Sequence, residues 1–127
     1  MADISPLIPE GRQVIQSYGG GGFRISGVDH RGAVLVFPTR TVPWNVAALA
    51  EATADSLAPV TAPDAHVTLL LMGAGRAPPG VLMPELRKAL REAGVVAEVM
   101  DTGAACRTFN VLMAEERRVA AALIAVP

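Results

Sequence analysis

Apolar and polar positions alternate in several registers along the chain, and the changes of register mark its elements. Residues 12–18 carry Val14, Ile15 and Tyr18 and predict a short strand. Over residues 23–28, Phe23, Ile25 and the small Gly27 alternate with Arg24 and Ser26, the period of two expected of a half-buried strand. Asp29-His30-Arg31-Gly32 has turn composition, and residues 33–37 form an unbroken apolar run that predicts a central strand. Strand, tight turn and strand make an antiparallel hairpin.

After Pro43 the period lengthens. Val46, Leu49, Ala50, Thr53 and Leu57 recur at helical spacing, with Glu51 and Asp55 on the other side. Pro59 and Pro63 end this helix and make a connector. Residues 67–72 are a second apolar run, typical of a strand covered on both faces. The segment Gly73-Ala74-Gly75-Arg76-Ala77-Pro78-Pro79-Gly80 reads as loop. Pro84 suits a first helical position; Leu86, Ala89, Leu90 and Ala93 come after it, and Gly94 is the stop. Residues 95–100 predict a third strand, and Asp101 or Thr102 offers a cap for the next helix. From Ala104 to Leu123 helical spacing dominates, with a break expected near Asn110 or Glu115.

The order is β-hairpin, helix, then β-α-β-α. It predicts an α/β fold with a central mixed sheet, the hairpin as an N-terminal layer and a βαβα C-terminal half joined by a right-handed crossover. Pro6 and Pro9 make residues 1–10 an extended tail, and residues 11–127 read as a single domain.

Composition narrows the class. In 127 residues, 51% are hydrophobic and 4% aromatic, so the core is built from aliphatic side chains and the composition argues against disorder. A net charge of −1 with interleaved signs argues against a nucleic-acid partner and against a polybasic membrane anchor. The first residues hold no basic stretch followed by an apolar one, and no run of about 20 apolar residues exists. No secretory signal and no membrane insertion are expected. With one cysteine, Cys106, no internal disulfide can form. The expected setting is soluble and cytoplasmic.

Four consecutive glycines, Gly19 to Gly22, raise the question of a phosphate cradle. Such cradles place a helix N-terminus after the glycines; here a strand follows, so the run reads as a bend. Gly73, Gly75 and Arg76 stand at the carboxyl end of a parallel strand, where open α/β sheets place ligands. Arg76 suits an anion. Asp101, Thr102, Arg107, Thr108 and Asn110 come after the next strand and supply hydrogen-bonding groups. Together these two segments outline a pocket for a small molecule or anion. The alternative is that Asp101 or Thr102 caps a helix and Asn110 bonds backbone.

Cys106 at a helix start is a candidate reactive thiol, with Arg107 beside it. A base is needed for covalent catalysis, and His30 and His66 are both poorly placed, so packing is the competing role. Two distant histidines give no metal motif. Glu85 with Lys88, Lys88 with Glu92 and Glu115 with Arg118 read as surface pairs on helices. Trp44 reads as a plug between layers or an exposed anchor. No catalytic residue and no cofactor are assigned.

The phrases YGGGGFRISG, GAVLVFPTRTVPW, LLLMGAGR and VMDTGAACRTFNVLMAEERRVAAALI resemble the Mth938-like family, formerly a domain of unknown function. The last phrase is the most specific. Met100, Thr102, Ala105, Thr108, Asn110, Leu112, Glu115, Arg117 and Val119 fall where the family pattern expects them. The resemblance implies three layers around a central mixed sheet. Its mitochondrial branch looks like an assembly factor for respiratory complex I, and bacterial relatives hint at membrane-protein biogenesis. The expectation is a non-catalytic interaction or assembly domain with protein partners. A small-molecule or anion-binding domain, or an enzyme, using the pocket between Gly73–Arg76 and Asp101–Asn110 is the alternative. The free edge of the hairpin offers pairing with a second copy as a homo-oligomer.

Overall fold

The computed structural model describes residues 10–76 and 82–127. The tail expected over residues 1–10 lies outside them except for Glu10, as does the part of the expected loop over residues 77–80.

Three strands, β1 (Ile15–Gly19), β2 (Gly22–Ile25) and β3 (Val28–Arg31), form an antiparallel ribbon in that order. Both connections are two residues long. Gly20 and Gly21 take φ of 62° and 83°, and Ser26 and Gly27 take 46° and 82°. Two successive positive φ values give the type I′ turn, whose twist matches the flanking strands. The turn expected at Asp29-His30-Arg31-Gly32 is therefore overturned. Asp29, His30 and Arg31 pair with Arg24, Phe23 and Gly22 inside the ribbon. Gly27 satisfies the alternation as a small strand residue, but its backbone goes to the turn.

Five strands make the second sheet: β4 (Val34–Val36), β5 (Thr41–Pro43), β6 (Leu69–Gly73), β7 (Val96–Met100) and β8 (Val119–Leu123), in the order β5-β4-β8-β6-β7. β8, β6 and β7 are parallel; β4 runs antiparallel to both β5 and β8. The apolar run at 33–37 is a strand as expected, but its hairpin partner is β5, which the pattern did not mark, and not the ribbon.

The helices are α1 (Ala58–Thr61), α2 (Pro84–Glu92) and α3 (Thr102–Ala114). α2 matches its pattern: Pro84 opens it, Leu86 and Leu90 are buried, and Gly94 ends it at φ 81°. The continuous helix expected from Val46 to Leu57 is overturned. Single 3-10 turns at Leu49–Glu51 and Asp55–Leu57 stand in its place. Thr53 and Ser56 explain the break, because their side chains bond each other's backbone: Ser56 Oγ donates to Thr53 O at 2.8 Å and accepts from Thr53 N at 3.0 Å. Such local bonds compete with the helical ladder.

The helix expected to reach Leu123 is also overturned. α3 stops at Ala114, and Val119-Ala120-Ala121-Ala122-Leu123 is a strand in the middle of the sheet. The expected βαβα half is a βαβαβ unit. Alanine is the best helix former, but every residue of β8 is buried between β4 and β6. At that position small side chains let layers close in from both sides, and tertiary packing overrides propensity.

Alternate residues of the central strands feed two cores. Leu35, Leu70, Met72, Ala120 and Ala122 pack with Trp44, Leu57, Leu86 and Leu90. Val34, Val36, Leu71, Ala121 and Leu123 pack with Phe23, Ile25, Cys106, Phe109 and Met113. Three layers result: α2 with the short turns, the mixed sheet, and α3 with the ribbon. This is the architecture expected for the class. Trp44 is buried in the first core, with Nε1 donating to Ser56 Oγ at 3.2 Å.

Candidate functional site

The segments singled out in the sequence meet at the carboxyl ends of β6 and β7. Gly73 ends β6 so close to α3 that an added Cβ would lie 2.9 Å from the Thr102 Cα and 3.1 Å from the Leu123 side chain. Only glycine fits without displacement. Thr102 is fully buried, and its hydroxyl is used twice. It donates to Ile124 O at 2.7 Å and accepts from Gly75 N at 2.9 Å. The backbone is tied as well: Thr102 N donates to Gly75 O at 3.1 Å, Ala74 N to Met100 O at 2.8 Å, and Ile124 N to Gly73 O at 2.9 Å. Gly75 itself holds φ at 88°. Hydrogen bonds within the chain thus occupy the junction where the sequence outlined a pocket.

The remaining residues of that outline have separate surroundings. Asp101 is the N-cap of α3, its Oδ1 accepting from Ala104 N at 2.8 Å. The exposed Arg76 donates to Pro127 O at 3.3 Å. Arg107 is exposed and Thr108 half-buried. A Cβ on Gly103 would meet the Tyr18 ring and come within 3.2 Å of Arg107 Nη1, so α3 approaches the ribbon at a glycine. Asn110, further along α3, bonds the ribbon. Its Oδ1 accepts from Ile15 N at 2.9 Å, and its Nδ2 donates to Ile15 O at 2.8 Å. The carboxamide thereby replaces a neighbouring strand at β1, beside the irregularity in the β1–β2 register between Ile15 and Ser17.

Cys106 is buried in the core beneath α3. Burial pushes its thiol up to about 12, and the nearby Asp101 carboxylate adds to this against the opposing pull of Arg107. Desolvation therefore outweighs the guanidinium, and the neutral thiol is the stable form.

The glycine run forms the β1–β2 turn. Gly21 N donates to Val126 O at 2.8 Å, and Gly21 O accepts from Gly32 N at 2.9 Å. A Cβ on Gly22 would overlap the His30 carbonyl. The turn is bound to its own chain on both sides. Among the described residues, no group of three or more His, Cys, Asp or Glu side chains is placed to hold a metal ion.

At the opposite end of the sheet, by the amino ends of β6 and β8, the surface opens into a cleft of about 440 Å³. Arg12, the β4–β5 connection at residues 37–40, residues 64–67, and Met113 with residues 116–119 line it. It gathers Arg12, Arg40, Arg117 and Arg118 around Phe37, Val67, Met113 and Val119, with Asp64 and Glu116 at its wall. Arg40 lies over the Phe37 ring, 4.5 Å from its centre. Arg12 reaches Glu116 at 4.0 Å. Sequence patterning did not single out these residues. In the sequence Arg118 reads with Glu115 as a helical surface pair, and Arg117 and Val119 enter only as positions of the family pattern. Arg117, not Arg118, lies 3.9 Å from Glu115, beyond the end of α3.

The end of α3 explains the placement. Glu116 takes a left-handed φ of 62°, its N donates to Met113 O at 2.9 Å, and Arg117 N donates to Leu112 O at 3.0 Å. These bonds close the helix in the manner usually given to glycine. Arg118 O then accepts from Thr68 N at 2.9 Å and from Leu69 N at 3.2 Å, locking the entry to β8 against β6.

No helix among the described residues is long and apolar enough to cross a membrane. Relatives of the chain include an uncharacterized protein of Rhodobacter capsulatus, 42% identical over 113 residues, which cover 89% of this chain and 85% of that protein. The NADH dehydrogenase [ubiquinone] 1 alpha subcomplex assembly factor 3 of Danio rerio is 37% identical over 114 residues. That match covers 90% of this chain and 65% of the assembly factor, so the chain spans about two thirds of that relative. Among solved structures, a Bordetella pertussis protein described as a Mth938-like domain superposes with a TM-score of 0.80 at 30% identity, covering 98% of this chain and 92% of that one. The fold and the resemblance read from the sequence agree with these matches. A family model matches residues 15–124, and the chain belongs to the family described as protein of unknown function DUF498/DUF598.

Proposed function

We propose that this chain is a non-catalytic assembly factor that works by binding other proteins, in the cytoplasm, during construction of a membrane-bound respiratory NADH dehydrogenase. The observation that carries the reading is the likeness to an assembly factor of that enzyme along 90% of the chain. The geometry supports a scaffold role. Of the residues that the sequence outlines as a ligand pocket or a reactive thiol, Thr102 bonds Gly75 and Ile124, Asp101 caps its helix, Asn110 bonds Ile15, and Cys106 lies in the core. Residues 11–127 act as one unit in this reading, with the ribbon pinned to α3.

The test is genetic and biochemical. A deletion in the source organism, grown by respiration, should lower the amount of assembled NADH dehydrogenase on native gels. The tagged protein should co-purify with subunits of the unfinished enzyme. Full assembly in the deletion strain, with none of those subunits captured, would refute the proposal.

A further inference from the structure

We infer that the arginine-lined cleft seats an acidic segment of a partner polypeptide, with carboxylates on the guanidinium groups and an apolar side chain between them. The inference rests on the proposal that the chain works through protein contacts, and it names where such a contact is made.

The first support is charge. Four arginines line the cleft against Asp64 and Glu116, while the whole chain carries a net charge of −1. The local sign opposes the overall one, which steers an anionic partner to this face. Guanidinium forks match carboxylates in a bidentate geometry. Here they come from three stretches of chain, Arg12, Arg40 and Arg117-Arg118, around one opening. Carboxylates spread along a peptide match such a rim better than one compact phosphate would.

The second support is the lining. Phe37, Val67, Met113 and Val119, buried residues of the two cores, lie beneath the charges and give the cleft an apolar floor within a lining of mixed polarity. A volume of about 440 Å³ takes a few side chains and no folded surface.

The third support is preorganisation. Arg40 is stacked on Phe37, and Arg40 O accepts from Phe37 N at 2.8 Å. Gln13 N donates to Pro38 O at 2.8 Å, and Thr41 Oγ1 donates to the Gln13 side chain at 2.7 Å. The stretch bearing Arg12 is thereby fixed to the loop bearing Arg40. His66 and Glu116, both in the lining, are two of the three described non-glycine residues with positive φ. Strain of this kind persists where the surroundings over-determine it, and it clusters at binding sites.

The experiment is an NMR titration of the ¹⁵N-labelled chain with a capped octapeptide of glutamates around two central leucines. Saturable shifts should be confined to the cleft lining, residues 12, 37–40, 64–67, 113 and 116–119, and the affinity should fall as salt is raised. The matching glutamine peptide should give no shift. Arg40→Glu with Arg118→Glu should weaken binding at least tenfold, whereas Lys88→Glu with Arg91→Glu, the same charge change on the exposed face of α2, should leave it unaltered. Amide dispersion confirms that each variant is folded. No shift with the glutamate peptide overturns the inference. So does an equal response to citrate at the same carboxylate concentration, which marks a small-anion site, or tighter binding to phosphatidylglycerol vesicles, which marks a membrane surface.

A cellular arm separates this inference from the assembly role. If wild type and the Arg40→Glu/Arg118→Glu variant capture the same respiratory subunits, the cleft is not the contact and the assembly role stands. If wild type captures none, the assembly role falls and the titration alone decides the cleft.

Discussion

Replacing Thr102 by valine removes one hydroxyl from the centre of the β6–α3–β8 junction and keeps the branched shape. Two backbone groups lose their partners, the Gly75 N–H and the Ile124 carbonyl, both on buried residues. An orphaned buried group costs about 1–3 kcal/mol; with some relaxation the pair costs about 3 kcal/mol. At roughly 2 cal/mol/K of unfolding entropy per residue, that lowers the melting temperature by about 10 °C. Thr102→Ser is the control, because it keeps the hydroxyl and gives up one methyl group, a loss of about 1 kcal/mol. Calorimetry on the three proteins, with hydrogen exchange at the Gly75 amide, reads both quantities. The valine variant should melt well below the serine variant and lose protection at Gly75. If valine proves as stable as serine, the hydroxyl does not hold the junction of β6, α3 and β8, and the bonding account given for Thr102 fails with it.

Three other sites give testable outcomes. Asn110→Ala removes both bonds to Ile15 and should destabilise by about 2 kcal/mol in urea unfolding, with amide exchange rising first in β1; unchanged exchange there would sever the proposed tie between ribbon and helix. Cys106, with its thiol raised to about 12, should react with a disulfide reagent at pH 8 at least a hundredfold more slowly in the native chain than in denaturant. The same shift carries a sign: the unfolded thiol ionises from about pH 9 and the native one near 12, so stability falls across that window by up to about 1.4 kcal/mol per pH unit, and Cys106→Ala should lack that component of the fall. Glu116→Gly should stabilise by about 1 kcal/mol, since a left-handed φ of 62° suits glycine and the 4.0 Å contact with Arg12 is solvent-exposed at the Glu116 end; a lower melting temperature would contradict this.

The sequence carried the architecture wherever one local signal was enough. Pro84 and Gly94 bracket α2, and the apolar runs ending at Met72 and Met100 are strands. It misled where two signals compete. The Ala120-Ala121-Ala122 run has the best helix propensity and no polar alternation, and only its place between β4 and β6 makes it a strand. Ser26-Gly27 and Asp29-His30-Arg31-Gly32 both have turn composition, and the ribbon register decides between them. The candidate pocket was legible as a set of neighbours but not in its bonding, because Thr102 and Gly75 are 27 residues apart. The arginine cleft was illegible for a similar reason: its side chains come from stretches at 12, 40 and 117–118 that only the fold brings together.

The position of β8 has a consequence for how the molecule is made. β4 and β6 each have an edge that only β8 covers, and β8 comes after every other strand in the chain. A ribosome must therefore deliver residue 123 before the two halves of the sheet can join. Until then the nascent chain holds two apolar fragments with open edges, a state prone to wrong pairing. Loss of the last strand would not trim the protein but leave its halves unconnected, so premature termination upstream of Val119 should yield a chaperone client and no partly active domain.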